Sequence, residues 1–405
     1  MSIDLRIRSD GPRAPLSAGD FFAGLPALLA GHADAIIPAL RWLDPSPLTI
    51  EVDGSSWTMD WTGERIAVRD GVRPNAARVR LSAEHLDDLV ADQRTFIGLH
   101  ASGQLDQPAG TLADLNDWWL VLRAGLDDRP IYTPGALRFC DLDGTALDLH
   151  RAFRPDEDRD VMRHFLAEAG FLRIVGLFDA DEMASISADM DRAAPAYAPS
   201  DGRSWWAKTA RGDQRLVRMQ GFDRHSDATA ALLDAARFRA LADIAGDGHA
   251  ADERRAANRI EALFKPIGVV EGISDVPWHK DCGLGRHSYD CCGLTVGISV
   301  TGADAVSGQL RVIAGSHRAL IWPARLRAGL DLPQIDLPTE TGDITLHASC
   351  TMHMAQPPIE RERRVLYTSF ALPSRSADSD AARVRLRAVR EAAPVTVSQP
   401  PSPVR

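Results

Sequence analysis

The sequence predicts an α+β chain in two domains, a small helix-covered sheet followed by an all-β barrel or sandwich with flanking helices. Three observations carry this. The first third alternates apolar stretches at helical spacing with a run of short strands. From about residue 265 the texture changes to short β-prone runs divided by Gly, Pro and Asp. The 405 residues also exceed one ordinary domain, since domains run to roughly 100–200 residues.

In the front unit, FFAGLPALLAGHADAIIPAL (21–40) is apolar at helical spacing. LTIEVDGSSWTMDWTGERIAVRD (48–70) follows as three alternating runs broken by DG and TG turns, the pattern of a β-meander. ARVRLS (77–82) adds a strand. SAEHLDDLVAD begins a helix with Ser82 as its cap. TLADLNDWWLVLRAGLDD (111–128) is a second amphipathic helix, and its Trp118, Trp119, Leu120 and Leu122 stripe fits either packed core or the lining of a ligand tunnel. RPIYTPG closes the unit near residue 135, residues 136–157 read as a linker, and residues 161–193 read as helix, short strand, helix. A further helix is expected over 228–245.

The second unit, residues 158–375, gathers VVEGI, LTVGISV, GQLRVIAG, QIDLP, GDITLHASCTMHMA and RRVLYTSFALP, as an antiparallel barrel or sandwich would. Residues 376–405 end in VSQPPSPVR and read as a flexible tail.

Composition narrows the function classes. Hydrophobic residues make up 45% and charged residues 25%, ordinary for a globular protein. A net charge of −10 argues against a generic nucleic-acid binder, which carries a basic face. Five cysteines, an odd number without a CxxC pair, argue against a disulfide framework and a structural zinc site. The N-terminus lacks an apolar signal core, and no run of about 18 apolar residues is present to span a membrane. A cytoplasmic location is the expectation, and the oligomeric state is open.

The chemistry concentrates in VPWHKDCGLGRH (276–287). In an extended segment His279 and Asp281 project to one side. Two histidines and one carboxylate on one face of an iron(II) ion leave three positions open for co-substrate and dioxygen. GDITLHASCTMHMA offers His347 and His353 as the second imidazole. HxD alone is weak, since a solvated His and a turn-capping Asp give the same letters. Its company adds weight: a β-run, GQLRVIAGSHR, a GD turn with a distal His, then a basic cluster entering another β-run.

Residues 160–373 resemble the phytanoyl-CoA dioxygenase family of Fe(II)- and 2-oxoglutarate-dependent oxygenases. The likeness rests on AGFLRIVGLFDADEM, PWHKD, GQLRVIAGSHR, GDITLHASCTMH and RRVLYTSF in that order. It implies a double-stranded β-helix (jelly-roll) core with Fe(II) held by His279, Asp281 and His353. Arg364 matches the arginine that pairs with the far carboxylate of 2-oxoglutarate, with Arg363 as its rival, since adjacent strand residues face opposite ways. A guanidinium suits that role through its planar bidentate fork. Pro358 and Ala314 depart from the family pattern. Asp281 favours hydroxylation over halogenation, because halogenating relatives lack this carboxylate.

Thr295 and Ser299, at even spacing on LTVGISV, are further candidates for 2-oxoglutarate binding. Trp206, Lys208 and Arg218 are candidates for the substrate mouth, against the alternative of a solvated loop with buried aromatics. His317 in GSHR reads as a structural corner, and Trp278 as packing beside the metal. Cys282, Cys291 and Cys292 read as inert small hydrophobes.

Residues 18–135 resemble a sterol-carrier-protein-type lipid-binding domain, through LTIEVDGSSWTMDW, RVRLSAEHLDDLVADQRTFIGLHASGQL and DWWLVLRAGLDDRPIYTPG. That likeness implies an α/β sandwich with an apolar tunnel and a lipid ligand. The combined expectation is a dioxygenase using Fe(II), 2-oxoglutarate and dioxygen to hydroxylate an unactivated carbon of a hydrophobic or acyl-type small molecule. The alternative is a lipid carrier whose barrel is inactive.

Overall fold

The structure, a computed structural model, describes residues 15–91, 94–101, 103–128, 130–199, 201–251, 257–272, 274–281, 293–318, 320–321 and 330–372. The tail expected over 376–405 and the cysteines 282, 291 and 292 lie outside these residues.

The front unit comprises α1 (Ala18–Gly31), α2 (Ala33–Leu43), β1 (Leu48–Val52), β2 (Ser55–Trp61), β3 (Ile66–Asp70), β4 (Ala77–Leu81), α3 (Ala83–Val90), α4 (Phe96–Ala101), β5 (Asp106–Ala109) and α5 (Leu112–Asp127). The meander forms as expected, β1–β2–β3, antiparallel throughout. β4 then crosses over to lie parallel to β1, giving a five-stranded sheet in the order β3-β2-β1-β4-β5. Ser82 caps α3 by accepting the His85 amide, and Thr111 caps α5 in a reciprocal box with Asp114. Ten residues of α5 are buried, Trp118, Trp119 and Val121 almost completely. They share one core with Phe22, Ile36, Leu40 and the sheet residues Leu48, Ile50 and Val79. The aromatic stripe on α5 is therefore packed core, with Trp118 donating its ring N–H to the Ser46 carbonyl at 2.6 Å.

The second unit adds α6 (Arg159–Ala169), β6 (Phe171–Ile174), α7 (Ala180–Ala193), β7 (Ser204–Thr209), β8 (Gln214–Gln220), α8 (Asp227–Asp234), α9 (Ala236–Arg239), β9 (Ala250–Ala251), β10 (Glu261–Lys265), β11 (Val269–Glu271), β12 (Gly293–Ser299), β13 (Leu310–Ile313), β14 (Gln334–Leu337), β15 (Ile344–Ala348), β16 (His353–Ala355) and β17 (Arg363–Ala371). The helix expected over 228–245 is broken at Ala235, whose extended backbone separates α8 from α9. A large antiparallel sheet runs β11-β7-β8-β10-β17-β12-β15-β6, with β9 on β17, and a small one runs β14-β13-β16. Both sheets and helices α6–α9 contribute to one hydrophobic core. The GD corner before β15 needs its glycine: Gly342 has φ of 87°, and a side chain there would collide with the Phe178 backbone.

Residues 136–157 contain no helix or named strand, yet they are docked onto the second unit. Phe153 is fully buried in its core and bridges Ile174. The two units touch through Ile131, which bridges Leu320, and through Tyr132, which meets Trp42 of α2 edge-to-face at 6.0 Å. Among the described residues no single helix is long and apolar enough to cross a membrane.

Candidate metal centre

Three segments bring the centre together. Residues 276–281 run beside β16, where His279 and His353 exchange backbone hydrogen bonds of 2.9 and 3.0 Å. Lys280, between the two expected ligands, turns the other way and is buried, donating to the Ser316 carbonyl at 2.9 Å. The Ser316 hydroxyl in turn accepts the Met352 amide at 2.7 Å. One turn, GSHR, thereby ties down both strands that carry the imidazoles. His317 of that turn contacts the Ala167 carbonyl at the end of α6, at 2.9 Å.

Donor atoms of His279, Asp281 and His353 lie within 4.8 Å of one another, the metal-holding cluster among the described residues. Asp281 Oδ1 stands 3.3 Å from His279 Nε2 and 3.7 Å from His353 Nε2. His279 Nδ1 sits 2.7 Å from the Pro277 carbonyl and His353 Nδ1 2.9 Å from the Thr351 carbonyl. A carbonyl only accepts, so each Nδ1 carries a proton and Nε2 is the ring atom turned inward to ligate. Burial, with His279 and His347 alongside, holds His353 well below the ordinary imidazole range, so its ring is neutral. Burial opposes ionisation of Asp281, but the surrounding imidazoles outweigh it and hold the carboxyl well below its usual range. Two imidazoles presenting Nε2 and one carboxylate fit Fe(II) on one face.

His347 belongs to a different strand from His353, β15 against β16, and is not a member of that cluster. Its Nε2 faces the other carboxylate oxygen, Asp281 Oδ2, at 3.7 Å. Thr295 on β12 faces the same oxygen and donates its hydroxyl to it at 2.8 Å. Thr295 thus supports the carboxylate.

Thr295 marks the face of the large sheet that lines the centre. Directly paired residues share a face, so Ser369 and His347, both opposite Thr295, line it too. Alternation extends the set to Gly297 and Ser299 on β12 and to Tyr367, Val365 and Arg363 on β17. Pairing carries it to Leu263 and Lys265 on β10 and to Arg218 on β8. The opposite face, with Leu294, Val296, Ile298, Leu366 and Phe370, belongs to the hydrophobic core.

This parity corrects the expectation for the arginine. Arg364 points out of the barrel, where its guanidinium grips the Asp191 carboxylate of α7 with two 2.8 Å hydrogen bonds and reaches Ser187. Arg363 points in. It is 4% exposed, and its Nε and Nη2 have no hydrogen-bond partner. Ser299 lies at the same end of the face, its hydroxyl accepting from Thr339 at 2.9 Å. Lys265, directly across from Arg363, is fully buried against Asp275 and the Ser274 carbonyl. Burial pushes its ammonium down to about 7.

The three residues expected at the substrate mouth are dispersed. Arg218 faces inward, paired with Glu261 at 3.4 Å and stacked on Trp205 at 4.3 Å. Trp206 alternates with Trp205 and so takes the other face, where it pairs with Leu216 across a bulge in β8 and donates to Ser204 at 2.9 Å. Lys208 sits exposed at the sheet's edge, 3.9 Å from Glu271. Sequence reasoning missed Lys265, Asp275 and Lys280. A signal was available for Lys265, a lone cation ending the apolar run ALFK.

Residues 166–364 match the family model for phytanoyl-CoA dioxygenase. No curated protein sequence matches the chain. Among solved structures the chain is similar to AviO1 from Streptomyces viridochromogenes, at 21% identity, with 54% of this chain and 96% of that one covered and a TM-score of 0.41. It is also similar to the non-heme alpha ketoglutarate dependent epimerase SnoN, solved with Fe3+, alpha ketoglutarate and nogalamycin RO, at 19% identity, 54% and 88% coverage and a TM-score of 0.40. EctD from S. alaskensis with 2-oxoglutarate and 5-hydroxyectoine gives 18% identity, 60% and 86% coverage and a TM-score of 0.44. The family match spans all three residues of the His–Asp–His cluster, and the protein is a non-haem Fe(II)- and 2-oxoglutarate-dependent oxygenase.

Proposed function

We propose that this oxygenase hydroxylates an unactivated carbon of a hydrophobic or acyl-type small molecule within a double-stranded β-helix formed by residues 158–375. The observation that carries the reading is the cluster itself: two imidazole Nε2 atoms and one carboxylate oxygen converge from segments 72 residues apart, from Asp281 to His353. Bound Fe(II), with 2-oxoglutarate and dioxygen, supplies the oxidising power that exchanges C–H for C–OH and yields succinate and carbon dioxide.

The chain's own residues do the rest. His279, Asp281 and His353 hold one face of the ion and leave the other open. Arg363 receives the distal carboxylate of 2-oxoglutarate. Its Nε and Nη2 are buried inside the barrel without hydrogen-bond partners, donors that a carboxylate would satisfy. Ser299, on the same face and at the same end, supports that anchor. Arg218 and Trp205 line the same interior further along the sheet.

The apolar substrate class is supported by the barrel walls, where Leu263 and Val365 are buried beside Arg363. It does not depend on a lipid in the front unit, whose layers enclose packed side chains. Retention of Asp281 as a ligand favours hydroxylation. The test is succinate release from 2-oxoglutarate across pools of apolar acids and acyl thioesters, with the product gaining one oxygen atom. Coupled turnover confined to highly polar substrates would contradict the substrate class.

A further inference from the structure

We propose that His347 is a positioning residue that, together with Thr295, holds Asp281 to the metal through a single oxygen. The inference rests on the reading of His279, Asp281 and His353 as the iron ligands.

The two oxygens of Asp281 have different neighbours. Oδ1 is the one that faces both ligand imidazoles, at 3.3 and 3.7 Å. Oδ2 turns to β12 and β15, where it accepts the Thr295 hydroxyl at 2.8 Å and meets His347 Nε2 at 3.7 Å. Thr295 and His347 are direct cross-strand partners, so their side chains emerge side by side.

His347 is 1% exposed, and neither ring nitrogen has a hydrogen-bond partner. A buried imidazole left in that state is destabilising unless an acceptor comes within reach. The facing carboxylate oxygen is an acceptor within reach: closing the gap by roughly 0.5–1 Å gives an ordinary N–H···O bond. His347 is not in the cluster that converges on the metal position, so its ring serves the carboxylate and not the ion.

The consequence is a count of coordination sites. With Thr295 and His347 both donating to Oδ2, that oxygen's lone pairs are engaged and it stays off the metal. Asp281 then binds through Oδ1 alone, leaving three positions on the ion, two for 2-oxoglutarate and one for dioxygen. Without these donors the carboxylate can rotate to bind through both oxygens and close one of the three.

The test uses the full chain loaded anaerobically with Co(II), whose absorption bands report coordination number. His347→Leu should weaken Co(II) binding by about 10–100-fold, the usual cost of losing an outer partner of a ligand, and alter the bands. His347→Gln, whose amide N–H reaches a similar position, should restore both to within about threefold. Wild-type affinity and bands in His347→Leu, or a Gln variant as impaired as Leu, would overturn the proposal. Should the Leu variant not fold, the imidazole nitrogen resonances of zinc-loaded wild type decide: the proposal requires the Nε2–H tautomer of His347, and the Nδ1–H tautomer overturns it. His353→Ala is the control for the underlying reading. If it binds Co(II) as wild type does, the ligand assignment fails; if it does not bind and His347→Leu is unaffected, only the present inference fails.

Discussion

His279 and His353 exchange both of their backbone hydrogen bonds, at 2.9 and 3.0 Å, and their rings lie 4.1 Å apart. This one bridge joins the loop segment 276–281 to the small sheet and sets the spacing of two imidazoles before any ion is present. Each ring is then fixed in rotation by its own Nδ1 contact to a carbonyl two residues earlier in the chain. The centre is therefore preformed by main-chain geometry, which a substitution of either ring leaves in place.

His353→Ala should consequently keep the fold and lose the metal. Anaerobic Fe(II) titration should find affinity down by at least about 100-fold, beyond the usual effect of losing an outer partner. Thermal unfolding of the metal-free protein should change little. Retained iron binding would return His347 as the third ligand.

Arg363→Leu and Arg364→Leu should separate cleanly. The inward arginine carries the co-substrate, so Arg363→Leu should raise the 2-oxoglutarate requirement by two orders of magnitude or more, the loss of a charge-assisted bidentate pair in a dry site being worth about 3 kcal/mol or more. Arg364 makes a partly exposed pair with Asp191. Its loss should cost about 0–1 kcal/mol of stability and leave the 2-oxoglutarate requirement unchanged. The reverse pattern would mean that β17 is read one residue out of register.

Lys265 gives a pH signature. Its folded-state value is depressed to about 7 from an ordinary 10.5. Between those values the unfolded chain binds a proton that the folded chain does not, so stability gains from this group as pH rises from 7 towards 10. The stability of wild type relative to Lys265→Met should climb over that window, by up to about 1.4 kcal/mol per pH unit, and flatten below pH 7. Chemical denaturation at several pH values measures it. A flat difference would mean that the ammonium keeps its proton in the barrel.

The front unit should stabilise the metal centre. Trp278 and Met352, the residues preceding the two ligand histidines, join Tyr132, Ile313 and Ile321 in one apolar cluster on which Trp42 of α2 also packs. Trp42→Ala should lower stability by about 2 kcal/mol, less than for a fully buried Trp because this one is partly exposed. It should lower Fe(II) affinity as well. Lost stability with unaltered iron affinity would separate the two units functionally.

How much of this was legible in the sequence follows from which physical patterns are local. The meander β1–β3 has its turns written as DG and TG, and the HxD pair has fixed spacing, so both could be read directly. Sheet parity was not: RR at 363–364 offers two equivalent letters, and only pairing with Ser299, Lys265 and Thr295's neighbours decides which enters the barrel. The same holds for Trp206, whose face is set by Trp205 pairing with Arg218, and for Thr295, whose even spacing with Ser299 was visible while its partner Asp281 was not. A strand-ending lysine reads as solvated, and only the packing of Lys265 against Asp275 and Ser274 shows it buried. The stripe on α5 fitted core and tunnel equally, and packing against Phe22, Leu40 and Ile50 makes it core.

The central claim is that His279, Asp281 and His353 hold Fe(II) with room for 2-oxoglutarate beside it. Adding both anaerobically to the full chain and recording the visible charge-transfer absorption tests it most directly. A band that saturates at one iron per chain, and is missing in His353→Ala, is the predicted result. A folded wild-type protein that develops no band when both are present in excess would contradict it.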